Sequence, residues 1–181
     1  MILNQRNCTQ ETALEMARQL MAAARTAPKG KGIDIIEICT VTDTDILRLA
    51  TTMREISAEN GFKFFLRDAD NIEQADAVIL IGTRIQQQGL NCMRCGYALC
   101  SDRPAAVPCA INSVDVGIAI GSVCSKAADL RIDTRVMHSA GMAAMRLGLP
   151  TPDSTDVYAI PLSIKSKNPF FDRKPKEEKD K

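Results

Sequence analysis

Apolar residues recur at helical spacing early in the chain. Ala13, Leu14, Ala17, Leu20, Met21 and Ala24 share one side of a helix predicted over 9–27. Thr9 is placed to cap its start, Glu11 falls in the first turn and Pro28 ends it, while Met16 and Met21 read as core filler. The polar turn Lys29-Gly30-Lys31-Gly32 leads into a β-branched run over 33–41, predicted as a central strand. Asp43 or Thr44 opens a second helix to Ile56, with Ile46, Leu47, Leu49, Ala50 and Met53 inward and Gly61 as its stop. Residues 62–66 are expected to form a strand. Residues 77–81 are almost wholly apolar, which predicts an inner strand, buried on both faces, of a mixed or parallel sheet. A helix is expected from Ser113 to about Leu130, and its Gly117 and Gly121, four apart, predict the close approach of another backbone. Asp133 or Thr134 caps a further helix to Leu147, stopped by Gly148 and Pro150. The last strand, 157–164, contains Pro161, which predicts an edge or a bulge.

This order describes one α/β or α+β domain over 1–165, a mixed sheet flanked by helices, with a Cys-rich loop over 86–112 hanging from the apolar strand. Residues 166–181 form a charged tail expected to be disordered. At 181 residues, 45% apolar and 25% charged, the chain is long enough to bury one core. A formal net charge of +1, with no basic stripe, provides no field for nucleic acid or a membrane surface, and those partners are excluded. No apolar run approaches the roughly 18 residues of a membrane span.

Four of the seven cysteines fall within nineteen residues. Cys92, Cys95 and Cys100 stand at C-x2-C-x4-C and Cys109 follows, so one loop can aim four sulfurs at a point. Thiolates without a histidine nearby suit soft metals, either an iron–sulfur cluster or structural zinc. Zinc ribbons pair two C-x2-C knuckles, whereas this loop has one knuckle and two single cysteines, a pattern that favours iron–sulfur. A disulfide framework belongs to oxidising compartments, and no signal peptide begins at Met1, so a cytoplasmic location is expected. For the fourth ligand Cys109 is preferred to Cys124, because it sits in the loop just before a helix start, while Cys124 falls inside the helix. Cys8, Cys39 and Cys124 are then replaceable. No catalytic residue is assigned: His138, the only histidine, has no acid near it in sequence, and Ser122 lacks a G-x-S-x-G setting.

The segment Cys95-Gly96-Tyr97-Ala98-Leu99-Cys100 resembles the C-x2-C-G-Y-x2-C stretch of several [4Fe–4S] proteins, in which the last cysteine lies further along, near where this chain has Gly117. More widely, 23–29, 115–122, 135–137 and 146–149 resemble a family of uncharacterised prokaryotic proteins described as containing a ferredoxin domain. That resemblance implies a [4Fe–4S]-type cluster on the cysteine motif and supplies no reaction. A second likeness, to the FMN-dependent nitroreductase fold, rests on a helix ending in Ala27-Pro28 before a polar loop and a strand, and on the basic stretch Asp172-Arg173-Lys174-Pro175. It implies an FMN site and a homodimer, although Lys29 to Gly32 replace the usual Ser, Asn and Gln-Pro-Trp pattern. Arg25, Lys29, Lys31 and Arg173 are the candidate phosphate contacts, with solvated loop charges as the alternative. Two functions remain open. One is electron transfer or an oxidoreductase, with an iron–sulfur cluster, FMN and a redox partner. The other is a non-enzymatic zinc- or cluster-binding structural or sensor protein.

Overall fold

Strand β2 (Ala77–Arg84) runs through the middle of the sheet, and its run from Ala77 to Thr83 is buried throughout. The computed structural model describes residues 2–171. Among these, β2 lies between β1 (Ile36–Val41) and β4 (Ser154–Ser163), and β3 (Asp133–Thr134) closes the far side of β4. Every pairing is antiparallel. The expected α/β domain with flanking helices is what forms, but the sheet is neither mixed nor parallel. Between β1 and β2 the chain makes two helices, α2 (Asp43–Asn60) and α3 (Phe64–Ile72), so it returns in the opposite direction. An apolar strand could not reveal this, because helices cover both faces in either arrangement.

Alternation along the strands divides the interior in two. Val78, Leu80, Val157 and Ala159 face α2, α3 and α5 (His138–Arg146). Ala77, Ile79, Ile81, Ile160 and Leu162 face α1 (Thr9–Thr26) and α4 (Ala110–Asp129). Each fully buried Leu or Ile here contributes roughly 1.5–3 kcal/mol. Ala13, Ala17, Leu20 and Ala24 of α1 are buried as expected, with Leu14 and Met21 partly so. Gly61 adopts the left-handed conformation (φ 71°) that ends α2.

Four local expectations are corrected. Residues 62–66 are not a strand: from Phe64 they belong to α3, which buries Phe65, Asp68, Ala69 and Ile72 at helical spacing. Three adjacent aromatic or aliphatic residues imitate a strand until the window reaches Ile72. Asp133 and Thr134 do not cap a helix but pair with Ser163 and Leu162, and α5 begins at His138. Pro161 is on an internal strand. Ala159 exchanges both backbone hydrogen bonds with Met137, so two residues on Pro161 turns its nitrogen to the same side, between that bridge and the β3 pairs, where no ladder partner is needed. Finally, a Cβ at Gly117 or Gly121 would meet nothing within 4 Å among the described residues. The close backbone approach is at Gly141, where an added Cβ would lie 1.8 Å from the Val157 carbonyl oxygen.

Packing continues past residue 165, the expected limit of the domain. Phe170 is buried, its carbonyl accepts from Arg135 at 2.9 Å, and the Arg135 guanidinium lies 5.3 Å from the Phe171 ring centre. The expected disorder of 172–181 lies outside the described residues. Among the described residues no helix is long and apolar enough to cross a membrane.

Candidate metal centre

The loop over 86–109 leaves the end of β2 and enters α4, and its backbone reverses repeatedly to do so. Gly89, Asn91, Met93 and Gly96 all have φ between 46° and 88°. Asn91 holds the fold of the loop: its side-chain oxygen accepts from the Cys100 N–H at 2.8 Å, and its own N–H donates to the Cys100 sulfur at 3.3 Å. Asn112 of α4 donates to the Gln86 carbonyl at 2.8 Å and ties the start of the loop to the helix.

One pocket collects Cys92, Cys95, Cys100 and Cys109, together with Gln88, Leu90, Met93, Tyr97, Arg103 and Ile111. Among the described residues its lining contains no histidine and no carboxylate, so its donors are those of a soft-metal site. Cys92 is exposed, Cys95 and Cys100 are half-buried and Cys109 is buried. The helix starts earlier than expected, at Ala110 rather than Ser113, which makes Cys109 itself the N-cap. Its sulfur thus sits where the first N–H groups of a helix favour negative charge. The sulfurs line the pocket without converging: among the described residues no three His, Cys, Asp or Glu groups come within reach of one ion, and the enclosed space is about 10 Å³. The donor chemistry fits a thiolate-bound metal, and holding one requires the loop to draw its sulfurs together.

Cys124 is not in this pocket. It lies fifteen residues along α4 from Cys109, roughly 22 Å at 1.5 Å per residue. Burial pushes its thiol up against an opposing hydrogen bond from Thr134. Cys39 on β1 is also held neutral, its thiol pushed up to about 11 by burial. Cys8 directs its sulfur to the carbonyls of Asn4 and Gln5.

The basic candidates separate into two groups. Arg25 donates to Asp34 at 2.8 Å and to the Ile36 carbonyl at 2.7 Å, and Lys29 donates to the Ala24 and Arg25 carbonyls at the end of α1. Those carbonyls have no partner within the helix, which is why a lysine side chain folds back on them. Burial is the largest influence on Lys29, and its ammonium is held below the usual lysine range. Asp34 is held below the carboxylate range: burial is the largest single influence and opposes its charge, but the Arg25 hydrogen bond, the Ile36 N–H and the Arg25 and Lys29 charges together outweigh it. Lys31 instead reaches the Gln88 carbonyl at 3.1 Å, and the Gly30 N–H donates to both oxygens of buried Asp115 at 3.0 Å. The 29–32 turn therefore straps the metal loop to α4. Arg173 lies outside the described residues. His138 is exposed, its ring 5.9 Å from that of Tyr158, and Ser122 donates to the Ala23 carbonyl.

Asn91, Gln88, Arg103 and Asn112 escaped the sequence reading. Of these only Arg103 stands between cysteines of the motif, and its position there is the one signal that could have flagged it; Gln88 and Asn91 precede Cys92.

The chain aligns along 97% of its length, at 40% identity, with the whole of an uncharacterized protein from Archaeoglobus fulgidus. Among solved structures it superposes on a nitroreductase family protein from Clostridium novyi NT at a TM-score of 0.60 and 14% identity, covering 87% of this chain and 76% of that one. A nitroreductase with bound FMN from Desulfitobacterium hafniense DCB-2 gives a TM-score of 0.55 at 15% identity, with 92% and 85% covered. These similarities show a nitroreductase-like fold. The family model for an uncharacterized protein containing a ferredoxin domain matches residues 105–173, a span that includes Cys109 and begins after the other three loop cysteines. With a relative matching almost end to end and that model covering its C-terminal part, the chain belongs to the family of uncharacterized proteins containing a ferredoxin domain.

Proposed function

We propose that this chain is an iron–sulfur redox protein in which Cys92, Cys95, Cys100 and Cys109 hold a [4Fe–4S] cluster. The observation that carries the reading is one pocket lined by four thiols and, among the described residues, by no histidine or carboxylate. When bound, such a cluster supplies one-electron transfer. The chain's own part is to present the sulfurs: Asn91 orients Cys100, α4 places Cys109 at its positive end, and Lys31 and Asn112 anchor the loop. Cytoplasmic location and a homodimer go with this reading, and sedimentation velocity tests the latter.

Anaerobic purification followed by a visible spectrum and metal analysis decides between the metals. Brown protein absorbing broadly near 400 nm, with about four iron and four sulfide per chain, is expected from a [4Fe–4S] centre. Colourless protein with one zinc per chain establishes the structural or sensor alternative instead.

A flavin is the second reading, favoured by the FMN-bound nitroreductase that shares the fold over 92% of the chain. FMN would bring two-electron chemistry beside the one-electron centre, with Arg25, Lys29, Lys31 and Arg173 as its phosphate contacts. Arg25, Lys29 and Lys31 already bond oxygens of the chain, so a phosphate has to compete with them. Flavin fluorescence tests this. Absence of quenching up to about 100 μM, a limit of roughly 5 to 6 kcal/mol in binding, removes the flavin and leaves the cluster alone.

A further inference from the structure

Arg103 stands in the metal loop between Cys100 and Cys109, and only 7% of it is exposed. One terminal nitrogen donates to the Val107 and Pro104 carbonyls, which fastens the second half of the loop. Those bonds leave two things unexplained. Its Nε is buried without a partner, and no carboxylate among the described residues pairs with the charge. The nearest acids in sequence are engaged elsewhere: Asp102 accepts from Ser101 and Asp115 accepts from Gly30. A guanidinium cannot lose its proton in a protein, so burying it unpaired is costly unless an anion joins it. Gln88, lining the same pocket at 4% exposure, has both amide atoms buried and unbonded. Thiol sulfur is only a weak acceptor for such donors. Four thiolates around a metal form an anion, and that anion is the missing partner of the Arg103 charge and its Nε–H, and of the Gln88 amide N–H.

We infer that Arg103 is the counter-ion and N–H donor of the thiolate-bound centre, and that Gln88 is a second donor to its sulfurs. The inference rests on the metal reading above and assigns both as positioning residues that tune the centre without ligating it. Hydrogen bonds to sulfur and local charge set the potential of iron–sulfur clusters. Reduction adds negative charge, so a fixed cation beside the cluster stabilises the reduced form.

The test is a redox titration of the cluster-loaded full chain, with iron and sulfide measured in every variant. Arg103→Gln is expected to shift the midpoint potential to more negative values and Arg103→Lys to restore most of it. Arg94→Gln, which removes an exposed charge from the same loop, leaves the potential unchanged. A loop fastener alone would not move the potential of a fully loaded cluster. Arg103→Gln with full iron and sulfide and the wild-type potential overturns the proposal. Should Arg103→Gln fail to fold, Arg103→Lys and Gln88→Leu carry the test: the proposal requires a potential close to wild type in the first and a lowered one in the second, and any other pattern overturns it. If the wild type binds zinc, the iron–sulfur reading fails while the proposal stays on trial by chelator competition. Arg103→Gln must then weaken zinc by tenfold or more relative to Arg94→Gln, and equal affinities overturn it. A wild type that takes up neither metal sinks both.

Discussion

Seven cysteines share one chain, and their surroundings sort them. Ser in place of Cys92, Cys95, Cys100 or Cys109 is expected to lose or alter the metal, whereas Ser at Cys8, Cys39 or Cys124 retains it; metal analysis of the seven variants checks this, and loss at Cys124 with retention at Cys109 would reverse the choice of fourth ligand. Cys39 also predicts a pH effect. Burial raises its thiol from 9.0 to about 11, so the folded state favours the protonated form. Its contribution to stability is fully present below pH 9 and is lost as pH rises toward 11. Native Cys39 should therefore resist iodoacetamide at pH 9 and react once urea unfolds the chain, and Cys39→Ala should flatten the fall in stability between pH 9 and 11 relative to wild type. Rapid alkylation of native Cys39 at pH 9 sinks this account. The four pocket cysteines were legible in sequence because loop spacing is a local property. Arg103 and Gln88 were not, since an unpaired charge or amide becomes visible only once the surrounding chain has removed water from it.

Among the elements, glycine marks the contrast between a helix face that is packed and one that is open. Gly141 of α5 meets the Val157 backbone, so Gly141→Ala forces helix and strand apart, and a loss of about 3 kcal/mol is expected in urea unfolding. Gly117 of α4 has open space around it, and Gly117→Ala should gain roughly 0.5–1 kcal/mol from helix propensity. A destabilised Gly117→Ala would mean that another chain packs there. Sequence spacing singled out Gly117 and Gly121 and passed over Gly141, because the approach of β4 to α5 depends on how the sheet is ordered. The same limit explains α3 and β3. The long helices α1, α2 and α4 announce themselves by period and stop signals, whereas a nine-residue helix behind three phenylalanines and a two-residue strand take their form from tertiary contacts with α2 and β4.

Across the whole molecule, the two cores differ in their relation to the metal loop. Helices α2, α3 and α5 and the buried Phe170 cover one face of the sheet and contribute no residue to the metal pocket. On the other face α4 carries Cys109, and α1 leads into the 29–32 strap. The first core depends on the end of the chain: Phe170→Ala should cost about 3–5 kcal/mol, read as a lower urea midpoint, while the exposed Phe171→Ala should cost less than 1 kcal/mol. Metal removal should act on the second side alone. A small zinc module unfolds without its metal because its core is too small, but both faces of this sheet are filled by buried aliphatic side chains, so folding does not wait for the loop. Hydrogen exchange after chelation is thus expected to accelerate over 86–112 and 29–32, with the first turns of α4 following, while α2, α3 and β2 keep their protection. The loss of β2 protection on chelation would show that the metal holds the whole fold, and would place this protein with domains that their metal folds.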